Sequence, residues 1–278
     1  GIDALRQVNP QIIYCSISAY GGEGPVGHRP AYDHVVQAMS GIMSTTGTDE
    51  MGPVKVGAPY IDYATGLNAA FAVMAALRER DRTGEPQTVD ISMLDTALNL
   101  MANNLVTVAT TGEDVPKLGN EAASGSPSSG CFVAADGVNI MLAANNERQF
   151  VDLCAVLGHP EWSQDPRWAV PKVRRDHFDA LRSEIAKAFL SRPAAVWETL
   201  LDAQGVPASR VRSLSELLGE GQPQARGLLA ILPVGSEQTK VQLPAIGFRL
   251  NGHNLPPTRP PKSVGADNER WLPHEKTV

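Results

Sequence analysis

The order in which strand-like and helix-like segments follow one another is the feature that most restricts the fold of this chain. Residues 11–18 are rich in β-branched and aromatic side chains, as a buried strand would be, and residues 32–43 follow with the apolar spacing of a helix. A second short strand is predicted over residues 89–92, and a long helix with Leu94 at the start of its apolar face comes directly after it. This alternation predicts an α/β layer.

A single carboxylate, Asp62, lies where an extended segment gives way to a long apolar helix. Residues 53–57 alternate in polarity as a strand does, and apolar residues then recur at helical spacing from Leu67 to Leu77. Asp62 is therefore expected near the N-terminal end of a helix, where unpaired backbone N–H groups stabilise an anion. Spacing alone favours an ordinary helix N-cap, and a functional carboxylate is the alternative.

The second half of the chain predicts a different mixture of elements. Residues 110–130 are rich in Gly, Ser, Pro and Thr, which is typical of a linker or a mobile loop. Asp136-Gly137 lies between two extended segments and predicts a β-hairpin. Two or three helices are predicted after the hairpin, over residues 148–157, 178–190 and 194–204. This run indicates a second, smaller α+β domain.

Charge and composition exclude several classes of function. The net charge is −6 and no block of like charge stands out, so neither nucleic acid nor an anionic membrane is indicated as a partner. No apolar run approaches the roughly 18 residues of a membrane span, and the six histidines form no cluster at metal-ligand spacing. Three widely spaced cysteines, Cys15, Cys131 and Cys154, are typical of buried free thiols in a reducing compartment, which predicts a cytoplasmic protein.

Several short motifs, taken in order, resemble the class III CoA-transferase family. This family includes formyl-CoA transferases and carnitine CoA-transferases, and it shares its fold with α-methylacyl-CoA racemases. The motifs are Asn9-Pro10 with residues 16–21, Tyr32-Asp33 with residues 37–41, Asp62-Tyr63-Ala64-Thr65-Gly66, residues 75–80 with Thr83-Gly84, Val89-Asp90-Ile91-Ser92-Met93-Leu94-Asp95, Gly119-Asn120 and Asp136-Gly137.

The resemblance implies an α/β fold of the family type. A partial Rossmann-like large domain would be joined to a smaller α+β domain in an interlocked homodimer. The implied division is residues 1–110 for the C-terminal part of the large domain with its catalytic Asp, 111–130 for the linker and flexible Gly/Ser loop, 131–225 for the small domain, and 226–278 for a C-terminal segment that returns to the large domain. Family members carry a further Rossmann-like segment ahead of the point where this sequence begins. We therefore expect such a segment, or a partner chain that supplies it.

The resemblance also implies that Asp62 is the catalytic carboxylate. It would attack the thioester of an acyl-CoA to give an aspartyl–acyl anhydride, and the CoA thiolate would return to form an aspartyl-CoA thioester that an acceptor carboxylate then receives. The helix end would stabilise the ionised Asp62 and assist developing oxyanion charge. A coenzyme A thioester is thus expected as substrate, with no permanently bound cofactor.

Four further residues are expected to contact CoA or the acyl group. The family closes a glycine-rich loop over the carboxylate to exclude water, and Gly125 and Gly130 lie in the matching region, although Ser and Pro replace part of the glycine run and a plain linker remains the alternative. Tyr32 matches a position where racemases carry a His, which favours a transferase, and a half-buried packing role is the alternative. Arg29 is a candidate for a CoA phosphate, with an exposed loop cation as the alternative.

Two rival functions remain open at this point. An acyl-CoA racemase or epimerase would use Asp62 as one of two bases, but His34 is expected to lie on a different helix face from Tyr32 and so not to supply the second. A non-catalytic half that scaffolds a complete partner is the other. The acyl donor and acceptor depend on variable loops.

Overall fold

The computed structural model describes residues 1–235 and 238–271, and its elements confirm the predicted α/β class. The first part of the chain contains α1 (Ile2–Val8), β1 (Ile13–Ser18), α2 (Asp33–Met39), α3 (Ile42–Thr45), α4 (Tyr60–Thr83), β2 (Gln87–Ser92), α5 (Met93–Leu100) and α6 (Ala102–Thr111). The middle contains β3 (Ser129–Val133), β4 (Asn139–Ala143), α7 (Glu147–Val156), a 3₁₀ turn (Pro160–Gln164), α8 (Pro171–Asp176), α9 (Phe178–Phe189), α10 (Ala194–Ala203) and β5 (Ala208–Arg210). The last part contains α11 (Leu214–Gly219), α12 (Gln222–Ala225), β6 (Leu229–Val234), β7 (Thr239–Pro244), β8 (Arg249–Leu250), β9 (His253–Asn254) and α13 (Asn268–Trp271).

The two predicted strands of the first part pair with one another. β1 and β2 are parallel, in register from Ile13 opposite Gln87 to Ser18 opposite Ser92, and α4 provides the crossover that a parallel pair requires. The expectation that β1 is buried is wrong, because each of its residues is partly or largely exposed and Ile17 is 52% exposed.

Two predicted elements of the first part differ from the structure. The helix predicted over residues 32–43 is broken into α2 and α3, since Gly41 has φ +90°, which ends the helical ladder. The strand predicted over residues 53–57 is irregular backbone, because the Val56 N–H donates to the Oε1 atom of Gln37 instead of to a neighbouring strand.

Helix α4 dominates the first part. Its 24 residues end at Thr83, where Gly84 takes φ +77° and donates its N–H to the Arg80 carbonyl. A left-handed glycine with this bond is a common C-terminal helix stop. Its first turn is held in a small apolar cluster, which consists of Val36, Ile42, Ile61, Met93 and Ala97.

The predicted hairpin and the helices after it are confirmed. β3 and β4 are antiparallel, with Ser129 opposite Ala143, and β5 adds to β4 to give a three-stranded sheet. Helices α7, α9 and α10 cover a larger apolar cluster, whose biggest fully buried side chains are Phe150, Phe189 and Trp197.

The chain divides into two compact units, Gly1–Ser209 and a second that begins at Arg210. Within the first, the two apolar clusters share no member. The finer domain division predicted above, with boundaries after residues 110, 130 and 225, stays a prediction, and residues 236–237 and 272–278 of its last segment lie outside the described residues. Over residues 1–235 and 238–271, none of the helices combines the length and the apolar composition needed to cross a bilayer.

Candidate active site

The first turn of α4 is fixed by a carboxylate that comes from another helix. Asp33, the first residue of α2, is 6% exposed. Its Oδ2 atom accepts from the Ile61 N–H at 2.7 Å and from the Asp62 N–H at 3.3 Å. Asp33 therefore performs for α4 the role that an N-cap side chain normally performs.

A second buried polar side chain extends this contact. Gln37, fully buried and one turn along α2, donates from Nε2 to Asp33 Oδ1 at 2.5 Å and accepts from the Val56 N–H at 2.9 Å. Each side-chain oxygen and nitrogen of Gln37 and Asp33 thus has a hydrogen-bond partner, as buried polar groups require. Nearby, burial and the charge of Asp33 together raise the pKa of Tyr60.

Asp62 is the third residue of α4 and its side chain is exposed. The ordinary N-cap reading of Asp62 is wrong, because the N-cap position belongs to Pro59, which makes no side-chain cap. Among the described residues, none donates a hydrogen bond to the Asp62 carboxylate. The Asp62 backbone N–H, in contrast, donates to the side chain of Asp33. A carboxylate on a hydrogen-bonded helix turn, with neither oxygen bonded to the described residues, is available to act as a nucleophile or a base.

The backbone N–H groups at the N-terminal end of α4 already donate to acceptors within the protein. Those of Tyr60 and Tyr63 donate to the carbonyls of Ala58 and Pro59, and those of Ile61 and Asp62 donate to Asp33. The expected help from the helix end to an oxyanion is therefore not available at these four amides.

Tyr32 and His34 lie together on the surface next to this turn. Tyr32 directly precedes Asp33 and is 77% exposed. Its ring stacks on that of His34, with ring centroids 6.3 Å apart and planes inclined by 10°. The expectation that His34 points away from Tyr32 is wrong, because Tyr32 has an extended backbone (φ −115°, ψ 170°) and lies outside the helix.

Arg29 lies in an exposed turn three residues before Tyr32, and its N–H donates to the Val26 carbonyl at 2.9 Å. No hydrogen bond or ion pair within the described part of the chain joins the Arg29 side chain to Asp62. Its predicted contact with a CoA phosphate stays a prediction.

Gly130 lies at a crowded position. It is buried at the start of β3 with φ +135°, and a Cβ atom there would lie 2.8 Å from Glu121 Oε2 and 2.9 Å from Arg182 Nη2. Arg182 pairs with Glu121 at 2.6 Å, donates to the Cys131 carbonyl at 2.8 Å and lies 3.8 Å over the Phe132 ring. The absence of a side chain at Gly130 thus has a packing reason that is independent of any ligand.

The loop before β3 is held on the C-terminal side of its exposed part. Ser128 and Ser129 are buried and donate from Oγ to Ala144 O at 2.9 Å and to Asn145 Oδ1 at 2.8 Å. Gly125, with φ +63°, lies in the exposed part, and a Cβ atom added to it would lie 4.0 Å from the Cδ atom of Arg175. The described hydrogen bonds and ion pairs do not connect Gly125 or Gly130 to Asp62.

A cavity of about 420 Å³ lies elsewhere in the first unit. It is bordered by α3, α5, α6 and the segment after α6, and its lining includes Met101 and Lys117 but not Asp62. Over residues 1–235 and 238–271, no three His, Cys, Asp or Glu side chains are grouped to hold a metal ion.

Asp33 and Gln37 are the site residues that analysis of the sequence missed. They are four residues apart, so they lie on the same face of α2 as one another. A polar pair at helical spacing is visible in the sequence. The residue that Asp33 contacts, Ile61, lies 28 residues further on, and this contact could not be predicted from spacing.

Comparisons with known proteins agree with this fold. A family model described as CoA-transferase family III matches residues 1–268. The succinate–glutarate CoA-transferase of Agrobacterium fabrum is 36% identical over 226 residues, which cover 81% of this chain and 56% of that protein. The acetyl-CoA:oxalate CoA-transferase of Acetobacter aceti is 33% identical over 93% of this chain and 64% of its own length.

Solved structures show the same similarity. The crystal structure of Rv3272 from Mycobacterium tuberculosis superposes with a TM-score of 0.85 at 30% identity, over 98% of this chain and 72% of that one. A CaiB/BaiF family protein from Brucella suis gives a TM-score of 0.76 at 28% identity, over 91% of this chain and 65% of that one. The chain thus spans less than two thirds of the length of the two curated relatives compared above.

Proposed function

This chain belongs to CoA-transferase family III, and on that premise we propose that the protein transfers coenzyme A from an acyl-CoA thioester to a free carboxylic acid, with Asp62 as the nucleophile. The observation that carries the proposal is the exposed Asp62 carboxylate, which accepts no hydrogen bond from the described residues although it lies on a hydrogen-bonded helix turn. The names of the curated relatives, which are CoA-transferases for several different acids, support the reaction class.

The proposed reaction needs no net proton transfer. An Asp62 oxygen bonds to the thioester carbon and the C–S bond breaks, so that CoA leaves as thiolate and an aspartyl–acyl anhydride remains. The thiolate then attacks the aspartyl carbonyl carbon, which releases the donor acid as a carboxylate and leaves an aspartyl-CoA thioester. The acceptor carboxylate repeats these two steps in reverse order and departs as its CoA thioester, and Asp62 is regenerated.

The tetrahedral oxyanion of each step needs donors from outside α4, since the amides of its first turn are occupied. We propose that the exposed part of the loop around Gly125 supplies backbone N–H groups, that Tyr32 lies along the acyl or pantetheine side, and that Arg29 meets a CoA phosphate. For Gly130 we propose an indirect contribution to binding, through the shape of the loop that it ends.

An acyl trap tests the nucleophile directly. The full-length protein is incubated with acetyl-CoA or succinyl-CoA and hydroxylamine, which attacks activated aspartyl esters, and its intact mass is measured. We expect a hydroxamate on the wild type and on Asp81→Asn, which removes an exposed carboxylate of the same helix, but not on Asp62→Asn. An adduct of undiminished yield on Asp62→Asn would overturn the proposal.

One observation favours the racemase alternative, which can be tested with the same protein. The His34 imidazole lies beside Tyr32, where a second base would be needed. Deuterium incorporation at the α-carbon of 2-methylacyl-CoA in D₂O, with no acyl adduct, would assign Asp62 to proton transfer. Failure to bind any CoA ester would instead favour the non-catalytic, scaffolding half.

We propose that the active protein is a homodimer. Four apolar side chains lie on one face of α4 at intervals of three and four residues, and all are largely exposed: Tyr63, Leu67, Phe71 and Met74. Exposed apolar side chains grouped on one helix face are typical of an interface. Sedimentation velocity of the full-length protein tests this, and the mass of a single copy would contradict it. The odd number of cysteines leads us to propose a cytoplasmic location, which fractionation of the source cells would test.

A further inference from the structure

We infer that Asp33 is a positioning residue that keeps the Asp62 carboxylate free to react, by occupying the backbone N–H groups that Asp62 would otherwise bind. The inference rests on the proposed nucleophilic role of Asp62. It adds a second residue to the site, which the motif around Asp62 does not contain.

An acidic side chain at the third position of a helix normally turns back towards the helix end. There it accepts a hydrogen bond from the N-cap N–H or interacts with the other unpaired amides of the first turn. Carboxylates bound in this way are stabilised as anions and are weaker nucleophiles. Asp62 holds this third position in α4.

Two features of the structure remove these donors from Asp62. The N-cap residue is Pro59, which has no N–H. The next amides that could serve, those of Ile61 and Asp62 itself, donate to Asp33 at 2.7 and 3.3 Å. The helix end is thus satisfied by a different anion, and Asp62 accepts nothing from the part of the chain that the structure describes.

The network specifies a carboxylate at position 33. Three donors converge on it, namely the Ile61 and Asp62 N–H groups and Gln37 Nε2. The Val56 N–H holds the Gln37 amide with its oxygen turned away from Asp33. An asparagine at position 33 would place its NH₂ group either against Gln37 Nε2 or against the two α4 amides, so it would lose the Gln37 contact or both amide contacts, and the acceptor left at this position would be uncharged.

Exchanging donor and acceptor between the two positions should restore the network. In the double variant Asp33→Asn with Gln37→Glu, the Asn oxygen can accept from Ile61 and its NH₂ can donate to the new glutamate. The other glutamate oxygen can still accept from the Val56 N–H. The net charge of the site is unchanged.

The test measures two quantities in the full-length protein. One is the rate at which the hydroxamate forms on the protein with acetyl-CoA and hydroxylamine, and the other is kcat and KM for the overall transfer. Asp33→Asn should lower kcat about 10- to 100-fold, the value of one hydrogen bond to a charged group, with KM for acetyl-CoA changed less than about twofold. The double variant should recover most of this loss. Leu153→Ala, a destabilising change in the other apolar cluster that leaves the network intact, should keep kcat near the wild-type value at a temperature where it is folded.

A second variant tests the inference without disturbing Asp33. Pro59→Ala restores the N-cap N–H and so gives Asp62 a donor, which should slow hydroxamate formation several-fold while the protein remains folded. This variant decides the question if Asp33→Asn does not fold. Wild-type kcat in both Asp33→Asn and Pro59→Ala, with Asp62→Asn inactive, would overturn the inference and leave the proposed function standing. An active Asp62→Asn would instead overturn the proposed function.

Discussion

Replacing Gly130 by alanine separates a packing role from a ligand-binding role at this residue. The new Cβ atom would lie 2.8 Å from Glu121 Oε2 and 2.9 and 3.0 Å from the two Nη atoms of Arg182. Contacts below 3.0 Å cannot be accommodated without movement, and both groups are held, since they pair with each other at 2.6 Å and Arg182 also donates to the Cys131 carbonyl. We therefore expect the substitution to displace the Glu121–Arg182 pair.

The cost can be estimated from two contributions. A non-glycine residue in the left-handed half of the φ range, here at +135°, costs about 1–2 kcal/mol. Loss of the hydrogen bond from the partly buried Arg182 guanidinium to the Cys131 carbonyl adds about 1.5–3 kcal/mol. Gly130→Ala should therefore lower the free energy of unfolding by about 2.5–5 kcal/mol. Gly137→Ala is the matched control, because Gly137 has φ +75° with open space around its Cβ position, so only the backbone contribution of about 1 kcal/mol remains.

Urea denaturation followed by tryptophan fluorescence measures both losses, since Trp162, Trp168 and Trp197 belong to the apolar cluster that covers this sheet. KM for the acyl-CoA, measured below the transition, reports on binding. Equal losses of about 1 kcal/mol for Gly130→Ala and Gly137→Ala, with KM raised only in the former, would refute the packing explanation and support direct contact with substrate.

Two further measurements follow from the structure. Burial raises the pKa of the Cys154 thiol from 9.0 to about 12. At pH 8 a thiol reagent should therefore label the native protein at the exposed Cys15 and not at Cys154. Labelling of both cysteines at the same rate would contradict this expectation. Because the folded-state pKa of Cys154 lies above the unfolded value, its contribution to stability is present below about pH 9 and is lost as the pH rises to about 12. Leu67→Glu should raise the dimer dissociation constant at least about 10-fold by placing a charge on the apolar face of α4, and an unchanged constant in sedimentation would exclude that face as the interface.

Local signals predicted those parts of the fold that depend on neighbours in sequence. The Asp136-Gly137 turn fixes the β3–β4 hairpin within a few residues, and the apolar spacing after Leu67 is that of a single continuous helix. Gly41 breaks the preceding helix through its own φ angle, a property that the sequence permits but does not require. The expected strand over residues 53–57 is absent because a buried side chain, Gln37, takes the Val56 N–H.

The candidate site was only partly predictable for the same reason. Asp62 could be singled out because an acidic residue at a helix start is visible in the sequence. The group that satisfies the helix end comes from Asp33, and nothing between the two residues marks their contact. Similarly, a glycine at position 130 is compatible with a ligand loop, and only the positions of Glu121 and Arg182 reveal the packing constraint.

The anchoring of the loop before β3 sets a limit on the distance over which it can act. Pro127 is buried and Ser128 is bonded to the neighbouring strand end, whereas Gly125 is only two residues away. A fully extended chain spans at most about 3.6 Å per residue, so the Gly125 Cα must stay within roughly 7 Å of the Pro127 Cα for as long as that anchor holds. The anchor therefore restricts how far the loop can move. Any thioester that the loop shields from water must be brought within reach of it by the rest of the site.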